Sequence, residues 1–283
     1  MSIFLKKECQ CCGNKTIKKT LTFDTADVYI CSNSCVSLTP KIQTNFWYTP
    51  SYFKNNYEKK GETQVQSSLK LTYFLKKHLK AGAILDYGCG IGRFLVSAEK
   101  EGFIDNVGID VSEYAVSQAQ LRAVNSNFYT TKYSLGLVKF DCISFIDSIA
   151  HIEDTNVTFS KLIGNNLNHN GVVLIRTPNI NSAYLFYAAL IGYISPKKHH
   201  GSFLFIPRRL FSFNTTSIKL FLNKHGLEIQ DIFIEPDFNR NASIFSNGKS
   251  IKSIIDYIFR IKIPSFINPN NSMTLIAKIK LNI

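Results

Sequence analysis

The sequence predicts an α/β protein built on a doubly wound parallel sheet, with a small cysteine-bearing segment ahead of it. Three observations predict this. Short apolar runs that end in an acid, "AILDYG" and "NVGIDV", alternate with helix-period stretches. Strand, helix, strand, helix in that order reads as right-handed crossovers around a parallel sheet. A glycine-rich turn, "GCGIG" at 88–92, joins the first run to its helix. Two cysteine pairs fall before residue 40, outside the alternating region.

Composition sets the outer bounds. A chain of 283 residues holds one large domain and a small accessory one. Apolar content of 45% with 19% charged residues excludes a disordered chain. The net charge of +13 fits a nucleic-acid or membrane-surface partner, or a composition simply rich in lysine. "MSIFLKKECQ" has no signal-peptide apolar core, and "AYLFYAALIGYI" at 183–194 is shorter than the roughly 20 residues of a spanning helix. The expectation is a cytoplasmic protein, where paired thiols point to metal before disulfide.

Taken in order, residues 1–40 come first. Cys9 and Cys12 lie in "CQCCG", Cys31 and Cys35 in "CSNSC", and the stretch between alternates like a short hairpin. Two thiolate knuckles on hairpin turns suit a tetrahedral structural zinc, which would supply folding energy to a segment too small for a core. The second pair has three intervening residues where a zinc ribbon has two, and Cys11 is an extra thiol able to replace Cys9 or Cys12. Residues 41–80 read as an aromatic linker punctuated by Pro40 and Pro50, then a leading amphipathic helix. That helix places Leu69, Tyr73, Phe74 and Leu79 at helical spacing, with His78 as a solvated end residue.

Residues 81–283 carry the main domain. "AILDYG" reads as a buried strand ending at Asp86, "RFLVSAEKEG" as a helix closed by Gly102, "NVGIDV" as a strand ending at Asp110, and "SEYAVSQAQLRAV" as a helix capped by Ser112. In such a sheet the ligand lies beyond the carboxyl ends of the strands. Gly88, Gly90 and Gly92 clear side chains from that place. The spacing is GxGxG, and Arg93 stands where a dinucleotide fingerprint wants the third glycine. Asp86 suits a cationic ligand, not a pyrophosphate, and Asp110 suits the two hydroxyls of a ribose. Together they describe S-adenosylmethionine better than NAD; a plain phosphate or nucleotide loop is the alternative.

"ILDYGCGIGRF" and "VGIDVSEYAV" resemble the first two motifs of class I S-adenosylmethionine-dependent methyltransferases. "FDCISFIDSIAHIED" and "LNHNGVVLIRTPN" resemble the fourth and fifth strands of the subgroup that includes ubiquinone-biosynthesis and sugar methyltransferases. "SIKLFLNKHGLEIQDIFI" and "SMTLIAKIK" resemble the last helix and two final strands, and the cysteine segment resembles zinc ribbons that precede such domains. The resemblance implies a seven-stranded Rossmann-like sheet. It implies that Asp86, Gly88, Gly90 and Gly92 line the amino-acid end of the cofactor, that Asp110 holds the ribose, and that Val111 flanks the adenine. Asp147 joins the cofactor-binding group. No clear equivalent stands for the acid that meets the adenine amino group.

The resemblance also directs attention to the loop after the fourth strand. His151 falls where the subgroup has a histidine, with Ala150 replacing the preceding glutamate, and a histidine is a plausible general base. The missing acid argues against a catalytic metal on Asp147 and His151. A lid-like insertion at 181–215 carries His199 and His200 among Lys197, Lys198, Arg208 and Arg209, and His200 is a second catalytic candidate. A further insertion, 236–271, contains the basic amphipathic stretch "SIKSIIDYIFRIKI". The reading is a methyltransferase acting on a small or carrier-linked acceptor, most simply a hydroxyl of a sugar or glycan precursor. The basic lid suits a phosphorylated acceptor, or a lipid-linked one met at the inner face of a membrane. An RNA methyltransferase and a non-catalytic binding protein are the alternatives; no Asn-Pro-Pro-Tyr motif supports the first. Oligomeric state is not legible.

Overall fold

The computed structural model describes residues 9, 11–22, 26–33, 35–40, 48–56, 61–179, 210–236 and 271–280. In chain order the elements are β1 (Ile17–Thr22), β2 (Ala26–Cys31), β3 (Val36–Pro40), α1 (Pro50–Asn56), α2 (Gly61–Lys76), β4 (Ile84–Tyr87) and α3 (Arg93–Lys100). Then come β5 (Asn106–Asp110), α4 (Glu113–Gln120), β6 (Ser126–Thr130), β7 (Phe140–Ile146), a 3-10 turn (Ile149–His151) and α5 (Thr155–Asn166). The last are β8 (Leu167–Pro178), β9 (Phe211–Ser212), α6 (Thr215–Lys224), β10 (Leu227–Pro236) and β11 (Asn271–Ile279).

A seven-stranded sheet runs β10-β11-β8-β7-β4-β5-β6. Strands β6, β5, β4, β7 and β8 pair in parallel, while β11 joins β8 and β10 antiparallel. The expected seven-stranded, Rossmann-like sheet is therefore present. From β4 the chain moves outward to β5 and β6, then returns to lay β7 on the other side of β4. That reversal opens a crevice beyond the carboxyl ends of β4 and β7, where doubly wound sheets take ligands.

Both faces of the sheet are covered, which is why its strands read as apolar runs. In β8, Val173 and Ile175 face the side of α5 and α6, and Val172 and Leu174 face the side of α2 and α3. On the first side Phe145, Phe159 and Phe221 form a run of tilted and edge-on rings with centroids 5.3 and 4.9 Å apart. Truncating such a ring to alanine costs about 3–5 kcal/mol. α6 begins at a reciprocal cap: the Asn214 side chain accepts from the Ser217 amide, and the Ser217 hydroxyl accepts from the Asn214 amide.

Helix α2 departs in detail from the sequence expectation. Its buried residues are Ser68, Leu71, Thr72, Phe74 and Leu75, so Phe74 is buried as expected while Tyr73 is exposed. With the stripe of Ser68, Leu71, Thr72 and Leu75 inward, position 73 lies about 140° round the helix from its centre. The Thr72 hydroxyl ties the stripe to Ser97 of α3 at 3.0 Å. His78 is not a solvated end residue either. Its Nε2 lies 3.1 Å from Asp231 Oδ2 of β10, and its ring stands against Phe74.

The cysteine-bearing head is an antiparallel sheet, β1-β2-β3, and β9 completes it as a fourth strand. Val36 and Ser37 pair with Ser212 and Phe211. The head is thus built partly from a segment more than 170 residues later in the chain. Cys9, Cys11, Cys31 and Cys35 belong to the same apolar cluster as Ile149, Leu210, Phe211 and Phe213. Within the stretch read as a linker, α1 forms a helical turn whose Phe53 is buried against Ile91 and Ala115. Of the insertion at 181–215, only its last residues fall among those described, and most of 236–271 lies outside them.

Candidate functional site

Strand β4 ends at Tyr87, and the glycine turn begins on the next residue. The amides of Gly88 and Cys89 both donate to the Ile109 carbonyl, at 2.7 and 3.0 Å, which fastens the turn to β5. Gly88 has φ +88°, and a Cβ there would strike the Ser148 side chain. The loops after β4 and β7 therefore meet at a place that tolerates only hydrogen. The Ser148 hydroxyl donates to the Tyr87 carbonyl across the same junction. Gly92 has φ +77° and caps α3 without a side chain; a Cβ there would come within 2.9 Å of Ala119.

Two acids flank the turn. Asp110 ends β5 with both carboxylate oxygens engaged by backbone: Gly90 N–H donates at 2.8 Å and Ser112 N–H at 2.9 Å. One donor on each oxygen fixes the plane of the carboxylate and leaves further lone pairs toward the crevice. Asp86 is fully buried in β4 and accepts from the Ser144 hydroxyl at 2.7 Å. Burial pushes its carboxyl up to about 7; the Ser144 bond pulls it back, and the Asp110 charge adds to the rise. Burial also raises Asp110, opposed by its bonds from the Ser112 and Gly90 amides. Among the described residues no lysine, arginine or histidine forms an ion pair with either acid. Two buried carboxylates beside the glycine turn, with no ion-pair partner among the described residues, would suit a cationic ligand. Val111, next to Asp110, is 59% exposed and available to cover a planar group.

The other wall is the loop after β7. Asp147 adopts φ +56°, uncommon for a residue with a side chain. Its amide donates to the Arg176 carbonyl at 2.8 Å, and its carboxylate accepts from Arg176 Nη1 at 2.9 Å. Arg176 is a buried cation inside an apolar strand; the lone charge in "VVLIRTPN" was the signal that could have marked it. The 3-10 turn then presents His151, whose amide donates to the Ser148 carbonyl at 2.9 Å. Tyr48 stands edge-on to His151, with ring centroids 6.5 Å apart, and its backbone carbonyl accepts from the Ser112 hydroxyl at 3.3 Å. Sequence reasoning missed Tyr48; the aromatic density of "NFWYTPSYF" was the available signal. His199, His200 and the four basic residues around them lie outside the described residues.

The structure brings Cys9, Cys12, Cys31 and Cys35 together, with all four sulfurs within 4.8 Å of one another. Cys12 and Cys31 Sγ lie 3.7 Å apart. A tetrahedron with 2.3 Å zinc–sulfur bonds has edges of about 3.8 Å. The three-residue spacing of the second pair closes cleanly, since the Cys31 amide donates to the Cys35 carbonyl at 3.1 Å. The Asn33 side chain donates to Cys12 Sγ at 3.5 Å, a bond that suits a thiolate. Cys11 is buried beside this set. Contact with Cys11 and Cys35 favours the Cys9 thiolate, while contact with Cys11 and Cys9 keeps Cys35 protonated in the absence of metal.

The methyltransferase domain family matches residues 57–232, more than half of the chain. A protein of Geobacillus sp. (strain WCH70), assigned as a methyltransferase, is 37% identical over 100 residues, which are 31% of this chain and 40% of that one. The chain thus spans about two fifths of the length of that curated relative. Among solved structures, the magnesium protoporphyrin IX methyltransferase of Synechocystis PCC 6803, with bound SAH, aligns at TM-score 0.52 and 16% identity over 85% of this chain and 90% of that one. The plantazolicin methyltransferase, also with SAH, aligns at TM-score 0.51 and 20% identity over 82% of this chain and 92% of that one. At these identities the structural likeness speaks to the fold.

Proposed function

The chain belongs to the methyltransferase domain family, and from that premise we propose that it is a class I S-adenosylmethionine-dependent enzyme that methylates a hydroxyl of a sugar or glycan precursor, small or carrier-linked. The observation that carries the donor assignment is the pair of buried acids, Asp86 and Asp110, around a glycine-rich turn. S-adenosylmethionine supplies the methyl group, already activated by its sulfonium charge. Asp110, oriented by the Gly90 and Ser112 amides, would hold the ribose hydroxyls. Gly88, Gly90 and Gly92 would let the amino-acid end approach the backbone, with Asp86 as the nearest countercharge. Val111 would cover the adenine.

On the acceptor side, His151 would take the proton from the acceptor hydroxyl as the carbon–oxygen bond forms, a role worth about 10²–10⁴-fold in rate. Asp147, bound to Arg176, shapes the mouth of the cofactor site, and that pairing supports leaving a catalytic metal out of the reading. His200 and the basic residues around it would receive the acceptor's phosphate or carrier. The choice of a sugar or glycan hydroxyl rests on the resemblance of the β7 loop and the cysteine head to that subgroup.

The four cysteines would hold a structural zinc, with every coordination position filled by thiolate. No helix among the described residues is long and apolar enough to cross a membrane. Contact with a membrane surface would fall to the basic insertions. The test is untargeted: the protein is incubated with methyl-labelled cofactor and fractionated cell extract. Label in saccharide or saccharide-linked lipid supports the reading. Label in RNA or protein overturns the acceptor, and no label together with no binding of S-adenosylhomocysteine overturns the enzymology.

A further inference from the structure

Among the described residues the cysteine head meets the rest of the chain at a seam around β9. Strand β3, which leaves the second cysteine knuckle directly after Cys35, pairs with β9 through Val36–Ser212 and Ser37–Phe211. The residue before β9, Leu210, donates its amide to the Ala150 carbonyl at 2.8 Å. Ala150 is the neighbour of His151. Phe213, the residue after β9, bridges to Asn179 just beyond β8. A short, continuous path of backbone bonds therefore leads from Cys35 to the turn that presents His151.

The packing follows the same path. Cys9, Cys11, Cys31 and Cys35 share one apolar cluster with Leu210, Phe211, Phe213 and Ile149 of the turn. Phe211 is 1% exposed and Ile149 fully buried. A two-residue strand such as β9 cannot hold its own place; it needs a partner edge, and the described partner edge is β3. β3 in turn belongs to a three-stranded head with little core of its own. Such a head depends on its metal cross-link for order.

We infer that the tetrathiolate metal site is a positioning device for the acceptor side: metal on Cys9, Cys12, Cys31 and Cys35 orders β3, β3 holds β9, and β9 fixes the turn of His151. This rests on the zinc reading above. The glycine turn, which follows β4, is fastened to β5 by backbone bonds of its own, from Gly88 and Cys89 to Ile109 and from Gly90 to the Asp110 carboxylate. Cofactor binding should accordingly depend on the head less than the turn of His151 does, the link between the two being the contact of Ser148 with Gly88 and Tyr87.

The experiment compares the full chain as purified with the same chain stripped of metal by a chelator. Metal content, binding of S-adenosylhomocysteine by calorimetry and amide hydrogen exchange are read on both. The expected result is about one metal per chain, and an affinity for S-adenosylhomocysteine that changes less than about threefold on stripping. Exchange at 148–152 and 210–213 should quicken by about tenfold or more, with 84–92 unchanged. Phe211→Ala should keep the metal and reproduce the faster exchange, so the test stands even if a Cys35→Ser chain fails to fold. Metal bound but exchange at 148–152 unchanged on removal would overturn the positioning role and leave the zinc reading intact. Loss of protection across the whole sheet would overturn it as well, since the metal would then serve global folding. If no metal co-purifies and added cobalt(II) gives no thiolate absorption band, the zinc reading itself falls.

Discussion

The ring of Tyr48 meets the imidazole of His151 edge-on, at 6.5 Å between centroids and 78° between planes. The same residue's carbonyl is held by the Ser112 hydroxyl, two residues past Asp110. One residue ahead of the main sheet thus spans its mouth, from the end of β5 to the turn after β7. Its position sets Tyr48 beside His151 and Ser112 together.

His151→Ala should lower turnover by about 10²-fold or more while leaving affinity for S-adenosylhomocysteine within threefold. Tyr48→Ala should lower turnover by about tenfold through misplacement of the imidazole, with Tyr48→Phe near wild type. Single-turnover methyl transfer beside calorimetry separates the two quantities. Wild-type turnover in His151→Ala would remove the base role.

Asp110→Ala removes the acceptor of two backbone donors as well as the proposed ribose contact. Charge-assisted bonds contribute about 1.5–3 kcal/mol each, so cofactor affinity should fall by about 10²-fold or more. Asp110→Asn should recover little, because an amide presents only one accepting atom to two amides. Calorimetric titration with S-adenosylhomocysteine decides it.

Asp86 sets a pH dependence. Its folded-state pKa of about 7 lies above the unfolded value of about 3.9. The protonated carboxyl is the favoured form in the empty fold. Its contribution to stability is fully present below about pH 3.9 and is lost as pH rises through about 7. The ionised form is the one a cationic ligand needs. Cofactor affinity should therefore climb from pH 5 to 7 and level off above, and Asp86→Asn should flatten that rise. A titration series across this range checks it.

His225 gives the opposite sign. It lies between Phe159 and Phe221, with Ser160 and Asn156 on its ring nitrogens at 2.9 and 3.1 Å. Burial, with a smaller effect of Lys224, lowers its pKa to about 4. The neutral ring stabilises the fold fully above the unfolded value of about 6.5, and that contribution is lost as pH falls through about 4. His225→Gln should melt lower than wild type at pH 7.5, and the gap should narrow as pH falls toward about 4. Comparing the two chains cancels the Asp86 effect, which runs the other way over the same range.

Much of this molecule can be read from residue order. Asp110 ends β5, and Asp86 lies one residue before the end of β4, because apolar runs buried on both faces stop where a polar group is needed. Ser112 caps α4 by accepting from the Ala115 amide, and Gly102 closes α3 with φ +89°. Each of these is a local rule acting over a few residues. The spacing of the cysteines likewise identified four thiols that the fold brings within 4.8 Å.

Other features depend on contacts between distant segments, and no local pattern encodes them. The pairing of β3 with β9 joins residues 36–37 to 211–212, across an interval with no periodicity linking the two. Tyr48 reads as one aromatic among several in a linker, and only packing sets it against His151. Arg176 is legible as an oddity in an apolar strand, but its partner Asp147 follows from the register of β7 on β8. Local sequence specified the turns, caps and strand ends because those are governed by short-range sterics and hydrogen bonds. Tertiary structure alone decided what surrounds His151, because that neighbourhood is assembled from segments whose burial is favourable only when they meet.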